Sequence, residues 1–354
     1  MKKYFIFLAS AAMLLAASCA KEEVNDGLVG EKELITVQLN PETKTALGAE
    51  GTTTWTSGDA VDVIVDNNNV GTLTLVEGST FSGELTTVGL TGEATLKYPA
   101  GVAAVPAEQE AVEGSFANGA ARLEGTVDLD VLRAGEGATL ANKTALLQFS
   151  VAVAGDVTFE VGTTEYTVTG CETDKTYYAC VEPAEGKLTA RIDGYLSNKT
   201  SVSKTFTANE IANLGLLPAP EVYTWGLVGQ HQGWNITDPT KMYKVADNAY
   251  ACLKVKLQSN GFKFAKTGLE NWNTANTSFG AWRDSGSGYF NYSTEMSVGA
   301  WYGVYTDNLG GQSFNIGVSD FSKTYDVYVK VLQDADWGQE LGYTVVVSGT
   351  SVTF

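Results

Sequence analysis

The sequence predicts an all-β protein built from tandem β-sandwiches, and three observations support this fold class. Glycine is abundant (38 of 354 residues), and helical periodicity is almost absent. Short segments of alternating apolar residues are separated by turns rich in Gly, Asn and Asp. The aromatic residues are unevenly spread, with 23 of 37 in the last 133 positions, which indicates a separate C-terminal domain. A chain of this length is expected to form two or three domains.

Residues 1–18 have the features of a lipoprotein signal peptide. Lys2 and Lys3 precede an apolar run, 4–17, that is too short to cross a bilayer comfortably. The small residues before Cys19 resemble a bacterial lipobox, which implies that Cys19 is diacylated and becomes the mature N-terminus. Such a group carries two acyl chains, enough for stable anchoring. The alternative is an ordinary signal peptide that Cys19 follows by accident.

Residues 19–33 are polar and acidic without periodicity, so we expect a flexible, lipidated tether. Lys21, Glu22 and Glu23 resemble the signal that sends lipoproteins of Bacteroidetes to the outer face of the outer membrane. The alternative is a lipoprotein that faces the periplasm. The resemblance therefore predicts an outer-membrane protein, lipid-anchored and facing the cell exterior.

The charge of the chain limits its ligands. Its formal net charge is −18 at pH 7, which repels phosphate backbones and anionic lipid headgroups. Solubility on a crowded surface is the simpler reason for such a charge. We expect neutral ligands or protein partners, and no nucleic acid.

The cysteines leave one pairing open. Cys171 and Cys180 flank a plausible turn and could form a disulfide in an oxidising compartment. Cys252 lies in an apparent strand and is expected to be a buried free thiol. With no Cys-x-x-Cys pattern, we predict no metal site and no cofactor.

The first part of the chain contains a strand that begins near residue 34 and then a turn at Gly58 and Asp59 before alternating valines. Residues 66–69, Asp-Asn-Asn-Asn, are expected to turn the chain back as a hairpin. The segments 44–47 (KTAL) and 53–63 (TTWTSGDAVDV) resemble the N-terminal domain of the fimbrillin family of Bacteroidia surface proteins.

Four later segments extend this resemblance in the same order. They are 104–109 (AVPAEQ), 145–151 (ALLQFSV), 177–183 (YYACVEP) and 206–215 (FTANEIANLG). The resemblance implies two β-sandwich subdomains, at 34–143 and 144–217.

Some fimbrillins polymerise after an arginine-specific cut opens a groove for the strand of another subunit. Here the first arginine, Arg122, lies well inside the first subdomain, and a whole domain occupies the place of a donor strand. We therefore expect no polymerisation by this route.

Residues 218–221 form a proline-stiffened linker that we expect to hold the last domain away from the second.

In 222–354, the order Gly-Leu-Val-Gly, Gly-Trp-Asn, Phe-Lys-Phe and Asn-Trp resembles the SusE/SusF type of starch-binding lipoprotein. The paired strands near 324–330 and 342–348 fit the same pattern. The resemblance implies one immunoglobulin-like sandwich that binds carbohydrate beside an outer-membrane glycan transporter.

Sugar binding has a chemical basis in this domain. A pyranose packs its C–H face on an aromatic ring, and a rigid aromatic loses little side-chain entropy on binding. Trp234, Trp282 and Trp337 lie in loops rich in Gly, Asn and Asp, where large aromatics are rarely exposed without a use. Trp272 could contact ligand or only support the fold, and Arg283 is a candidate hydroxyl donor. These five residues are the predicted carbohydrate-binding site.

Other aromatics have simpler interpretations. Trp225 alternates with Leu227 in a strand and is expected in the core. Trp301 and Tyr302 are adjacent, so one should face inwards and the other outwards, but the sequence leaves open which.

The sequence gives little support for an enzyme. Its one histidine, His231, lies between two glutamines in a loop and is expected to be solvated rather than catalytic. No glycine-rich phosphate loop opens a helix, and no pair of carboxylates is singled out for glycoside hydrolysis.

The sequence therefore predicts a non-catalytic surface lipoprotein that captures polysaccharide for a neighbouring transporter. The alternative is an adhesin or accessory fimbrial subunit that binds a protein, and an open apolar groove in residues 31–217 would favour it.

Overall fold

The computed structural model describes residues 31–41, 55–200, 202–259, 261–268, 270, 278–280, 290–291, 301–306, 316–335 and 338–354. Strands dominate this part of the chain, and the one α-helix among the described residues has five residues. The predicted all-β class is therefore confirmed. None of the helices described could span a bilayer.

A first unit is formed by seven strands and a short helix. They are β1 (Glu33–Pro41), β2 (Ala60–Val65), β3 (Asn68–Glu77), β4 (Thr80–Leu85), β5 (Glu93–Tyr98), β7 (Leu123–Asp128), α1 (Leu129–Arg133) and β8 (Ala138–Asn142), while β6 (Glu108–Glu110) joins the next unit. The strands close into a barrel in the order β1-β4-β3-β2-β5-β7-β8. Alternate residues such as Ile35, Val37 and Leu39 point into its core.

The predicted hairpin at residues 66–69 is present between β2 and β3. Asp66 and Asn67 both adopt positive φ, 50° and 66°, and Val65 pairs with Asn68 across the turn. Two left-handed residues in a two-residue turn match the right-handed twist of the strands.

The Trp-x-x-Gly-Asp segment that carries the fimbrillin resemblance has a structural role. The Asp59 carboxylate accepts bonds from the Thr56 amide at 2.7 Å and the Tyr98 hydroxyl at 3.0 Å. The Trp55 indole donates to the Leu39 carbonyl at 2.7 Å. The segment therefore ties β1 to the entry of β2.

Arg133 at the end of α1 fixes the other side of β1. Its Nε lies 2.9 Å from Glu33 Oε1, and its Nη2 donates to the carbonyls of Thr87 at 2.6 Å and Leu90 at 2.9 Å. The Glu33 carboxylate also accepts from the Thr87 hydroxyl. These two hydrogen bonds, from Thr87 first and Arg133 second, lower the pKa of Glu33.

A second unit is a sandwich of two sheets. Its strands are β6 together with β9 (Ala145–Val151), β10 (Gly155–Val161), β11 (Thr164–Cys171), β12 (Tyr177–Val181), β13 (Ala184–Gly186), β14 (Leu188–Ile192), β15 (Tyr195–Lys199), β16 (Lys204–Phe206) and β17 (Ile211–Leu217). The sheet β15-β14-β10-β11-β6 and the sheet β12-β9-β17 enclose one core, and β13 pairs with β16.

One segment crosses the boundary that we expected at residue 143. Val105 and Ala121 lie in the core of the second unit, and β6 pairs with β11 in parallel. The buried side chain of Gln109 accepts from the Cys180 amide at 2.9 Å and donates to the Cys180 carbonyl at 2.7 Å. Residues 34–143 are thus not one self-contained subdomain, because these bonds hold residues 105–121 on the second unit.

The disulfide considered between Cys171 and Cys180 is not formed. Both are buried free thiols, on opposite sheets of the sandwich. The Cys171 sulfur lies 3.7 Å from the Val168 carbonyl of its own strand, and burial raises its pKa to about 12. Cys252 is a buried free thiol, as expected.

A third unit holds the aromatic part of the chain. Its strands are β18 (Val222–Gly229), β19 (Thr240–Ala246), β20 (Ala249–Val255), β21 (Phe262–Lys266), β22 (Ser278–Gly280), β23 (Phe290–Asn291), β24 (Tyr302–Thr306), β25 (Ile316–Gly317), β26 (Tyr325–Ala335) and β27 (Gly338–Val347). The order β18-β19-β20-β26-β27-β24-β22-β21 returns on itself because β18 also pairs with β21. Trp225 is buried in the core, as predicted.

The linker does not hold the third unit away from the second. The Asp193-Gly194 turn between β14 and β15 lies against the third unit. It approaches so closely that a Cβ atom added at Gly194 would lie only 3.0 Å from Leu253 Cδ1. The Tyr195 hydroxyl accepts from the Leu253 amide at 3.0 Å, and Arg191 donates to the Val245 carbonyl at 2.7 Å. The predicted separation of the two units was wrong, because the β14–β15 hairpin of the second unit contacts the third unit directly. The sequence of the linker could not indicate a contact made by residues outside it.

We predict that Arg133→Met destabilises the barrel by about 2–3 kcal/mol, because it removes a charged donor from the partly buried Glu33 carboxylate and from the carbonyls of Thr87 and Leu90. Hydrogen exchange of the β1 amides, measured by mass spectrometry on the full chain, should accelerate accordingly. Asp130→Ala is the matched control. It removes the exposed partner of the same guanidinium and should change stability by less than about 0.5 kcal/mol. Unchanged β1 exchange in Arg133→Met would show that the ion pair does not fix this strand.

Candidate carbohydrate-binding loop

The structure places one of the five predicted carbohydrate-binding residues. Trp234 lies in the loop between β18 and β19, whereas Trp272, Trp282, Arg283 and Trp337 lie outside the described residues. Cys19 lies outside them as well. The candidate site is therefore built from Trp234 and the residues around it.

The backbone of this loop holds a tryptophan in an unfavourable conformation. A 3-10 turn, Gln230–Gln232, is followed by Gly233 with φ 74° and Trp234 with φ 58°. Glycine adopts the left-handed region freely, but a residue with a Cβ pays roughly 1–2 kcal/mol. Trp234 is thus held against its backbone preference.

The side chain of Gln232 supplies much of what holds the loop. Its Oε1 accepts from the Asn235 amide at 2.6 Å, and its Nε2 donates to the carbonyls of Asn235 at 2.7 Å and Asp238 at 3.3 Å. The Trp234 amide donates to the Gly229 carbonyl at 2.9 Å. The Gln232 side chain therefore pairs with one backbone amide and two carbonyls of the loop, groups that a neighbouring strand would pair in a sheet.

The Trp234 ring is half-buried. It packs against a small apolar cluster of Val228, Ile236 and Ala265, which is separate from the main core of the third unit. Packing against this cluster fixes one side of the ring. The position agrees with ligand contact and with a purely structural role.

Polar groups surround the exposed part of the loop. Asn235, Thr237 and Asp238 are exposed, and the Asn235 side chain also accepts from the Thr237 amide and hydroxyl at 3.1 Å and 2.7 Å. A fixed aromatic ring beside amide, hydroxyl and carboxylate groups is chemically suited to a polyol, whose hydroxyls both donate and accept.

His231 differs from the expectation of a solvated loop histidine. Its Nε2 lies 3.0 Å from Thr240 Oγ1, while its Nδ1 is buried and has no hydrogen-bond partner. Burial lowers the pKa of the ring. The expectation was wrong because the 3-10 turn directs the ring towards the base of the loop, which the polar neighbours in sequence could not indicate.

The residues described contain no group of three or more His, Cys, Asp or Glu side chains that could hold a metal ion.

Comparisons with protein-family models and with curated proteins give no match. Among solved structures, the chain is similar to a "putative cell adhesion protein" from Bacteroides uniformis ATCC 8492, at 13% identity and a TM-score of 0.30, covering 51% of this chain and 93% of that one. A second from Bacteroides ovatus ATCC 8483 has 15% identity and a TM-score of 0.33, covering 52% and 92%. A fimbrial protein from the same B. ovatus strain has 14% identity and a TM-score of 0.29, covering 55% of this chain and 53% of that one.

We predict that stability depends on pH through His231. Its folded pKa is lowered, so the unfolded chain binds the proton first and stability falls as pH drops below the unfolded value of about 6.5. The slope should not exceed about 1.4 kcal/mol per pH unit. His231 is the single histidine of the sequence, so the window from pH 7.5 to 5.5 reports on it with little interference.

Denaturant unfolding of the wild type and of His231→Gln across this window tests the prediction. The variant keeps a side chain that can bond Thr240 but does not titrate there, so its stability should stay level. Equal slopes in the two proteins would contradict the buried, neutral imidazole.

Proposed function

We propose that the protein is a cell-surface lipoprotein that binds polysaccharide without converting it, and that it captures glycan for a neighbouring outer-membrane transporter. The observation that carries the proposal is Trp234, which is half-buried, held in the left-handed region and flanked by polar side chains. Strained residues that their surroundings over-determine cluster at binding sites.

The energetics of the loop favour recognition of a neutral sugar. The ring is fixed before binding, so a sugar that stacks on it gains contact area with little loss of side-chain freedom. The exposed amide of Asn235 and hydroxyl of Thr237 can exchange water for sugar hydroxyls at low cost. None of this needs a strongly charged ligand, in keeping with the acidic chain.

We assign no catalytic step to this loop. A general base must reach the proton that it removes, and the free nitrogen of His231 is buried away from the loop surface. Capture without reaction is the simpler role for these groups.

The location follows from the N-terminal segment. We propose that Cys19 is lipidated, that residues 19–33 form the tether, and that Lys21, Glu22 and Glu23 direct the protein to the outer face. Anchored in this way, the loop could contact polymers too large to enter the cell.

The alternative role, as a protein-binding adhesin or fimbrial subunit, would gain from an open groove for a foreign strand. In the barrel, β1 pairs with β4 through residues 33–38 and with β8 through residues 39–41, which closes the strand order of the described residues. The experiment below separates the two roles.

We predict that Trp234→Gly weakens glycan binding at least about tenfold, because it removes the ring, whereas Trp234→Tyr retains part of the affinity. The full chain without its signal peptide is run through gels that contain starch, dextran, xylan, mannan, inulin or pectin. Stability supplies the control: in Trp234→Gly, relief of backbone strain offsets lost packing, so the melting temperature should stay within a few degrees.

Retardation by one polysaccharide that Trp234→Gly weakens at least about tenfold, with the fold retained, would support glycan capture. If no gel retards the wild type, glycan capture is wrong and the protein-binding role is favoured. A large drop in melting temperature for Trp234→Gly would show that the ring serves the fold.

A further inference from the structure

A second cluster of aromatic rings lies on the outer face of the third unit. The Phe354 ring contacts Tyr328 at a centroid distance of 5.6 Å and Trp301 at 6.0 Å, with interplanar angles of 61° in both pairs. Tyr328 alternates with the core residues Val327 and Val329 along β26, so it points to the outer face. We call Tyr328, Phe354 and Trp301 the outer aromatic surface.

The strand register explains why Trp301 joins this surface. Tyr302 pairs with the fully buried Tyr343 of β27, so the preceding residue faces outwards. The Trp301 indole then donates to the Thr353 carbonyl at 3.3 Å and holds the segment 351–354 against the sheet. The orientation that the sequence left open is thus settled for Trp301, whose ring is half-exposed.

The three rings are fixed but only partly covered. Phe354 retains 41% of its accessible surface, and Trp301 and Tyr328 are both half-buried. Aromatic side chains that contact one another at the surface and are held in place before any ligand arrives are typical of interaction sites. The cluster also offers more apolar area than a single exposed residue would.

Two hydrogen-bond donors border the rings, one from each of two units. Lys330 lies two residues after Tyr328 on the same face of β26 and is half-buried. Arg191 of the second unit donates to the Val245 carbonyl at 2.7 Å. Val245 belongs to the small apolar cluster against which Tyr328 packs, together with Tyr195 of the second unit. The surface therefore lies at the contact between the second and third units.

The net negative charge of the protein favours a neutral ligand for this surface. A second copy of the chain would bring another net charge of −18, and an anionic membrane would be repelled in the same way. A neutral sugar carries no such penalty. It can place C–H faces on the rings and hydroxyls on Arg191 and Lys330.

We propose that the outer aromatic surface is a second binding surface for neutral polysaccharide. This inference rests on the proposed function but concerns residues outside the Trp234 loop. Trp234 packs on β18 and β21, whereas the outer aromatic surface lies on β24, β26 and β27, half of the closed strand order away. Two surfaces so placed can hold two polymer chains, or two parts of one long chain, and binding at both raises the overall affinity.

Affinity electrophoresis of the full chain tests the proposal in the neutral polysaccharide that retards the wild type most. Phe354→Ala and Trp301→Ala should each weaken binding by roughly 3–10-fold. Phe321→Ala is the matched control, since Phe321 is equally exposed at 42% but lies in the turn before β26, outside the three-ring cluster. Its affinity should equal that of the wild type.

Bridging provides a second readout that a loss of fold would not imitate. Wild-type protein should aggregate beads coated with the same polysaccharide, because it can hold two chains. Phe354→Ala and Trp234→Gly should each still bind the beads but aggregate them much less, and the double variant should not bind. Melting curves of the single variants exclude unfolding as the cause, and Phe354→Tyr should restore bridging.

The outcomes separate this proposal from the proposed function. If the wild type binds and both Phe354→Ala and Trp301→Ala bind and bridge equally well, the outer aromatic surface is not a sugar site, while glycan capture stands. If binding occurs only to the anionic polymer pectin, the choice of a neutral ligand is wrong. If the wild type binds none of the polysaccharides, the proposed function fails, and this inference fails with it.

Discussion

Every strand in an all-β chain presents backbone amides and carbonyls that must be paired, and the described structure depends on how it meets this constraint. The barrel meets it by closure, since β1 pairs on both sides. Elsewhere a side chain takes the place of a strand. Gln109 bonds both backbone groups of Cys180, Gln232 bonds three groups within its loop, and Arg133 bonds the carbonyls of Thr87 and Leu90. The same principle thus closes the fold and shapes the candidate site.

Local patterns in the sequence predicted the local structure well. Alternating valines gave β2, the Asp66-Asn67 turn formed as expected, and Trp225 lies in the core. The errors concern residues far apart in the chain. The pairing of β6 with β11, the separate sheets of the cysteine thiols and the contact of the Asp193-Gly194 turn with the third unit all depend on long-range packing, which periodicity does not encode.

Sequence patterns also predicted only part of the candidate site. Its location in a loop rich in Gly and Asn was predictable for Trp234, but the left-handed backbone and the packing on Val228 were not. The burial of His231 Nδ1 was likewise hidden, because it depends on a 3-10 turn of three residues. The outer aromatic surface could not be found from sequence at all. Its three rings come from positions 301, 328 and 354, which only the strand register brings together.

The contact between the second and third units gives these surfaces a fixed setting. Tyr195 packs its ring on Tyr243 at 4.8 Å, and Arg191 lies both at this contact and beside the outer aromatic surface. Each aromatic surface is small, and a sugar that stacks on one or two rings binds weakly alone. Long polymers overcome this, since the second contact forms at high local concentration once the first has formed. Two modest surfaces on different sides, if both bind sugar as proposed, would therefore retain a long polymer more strongly than a short fragment.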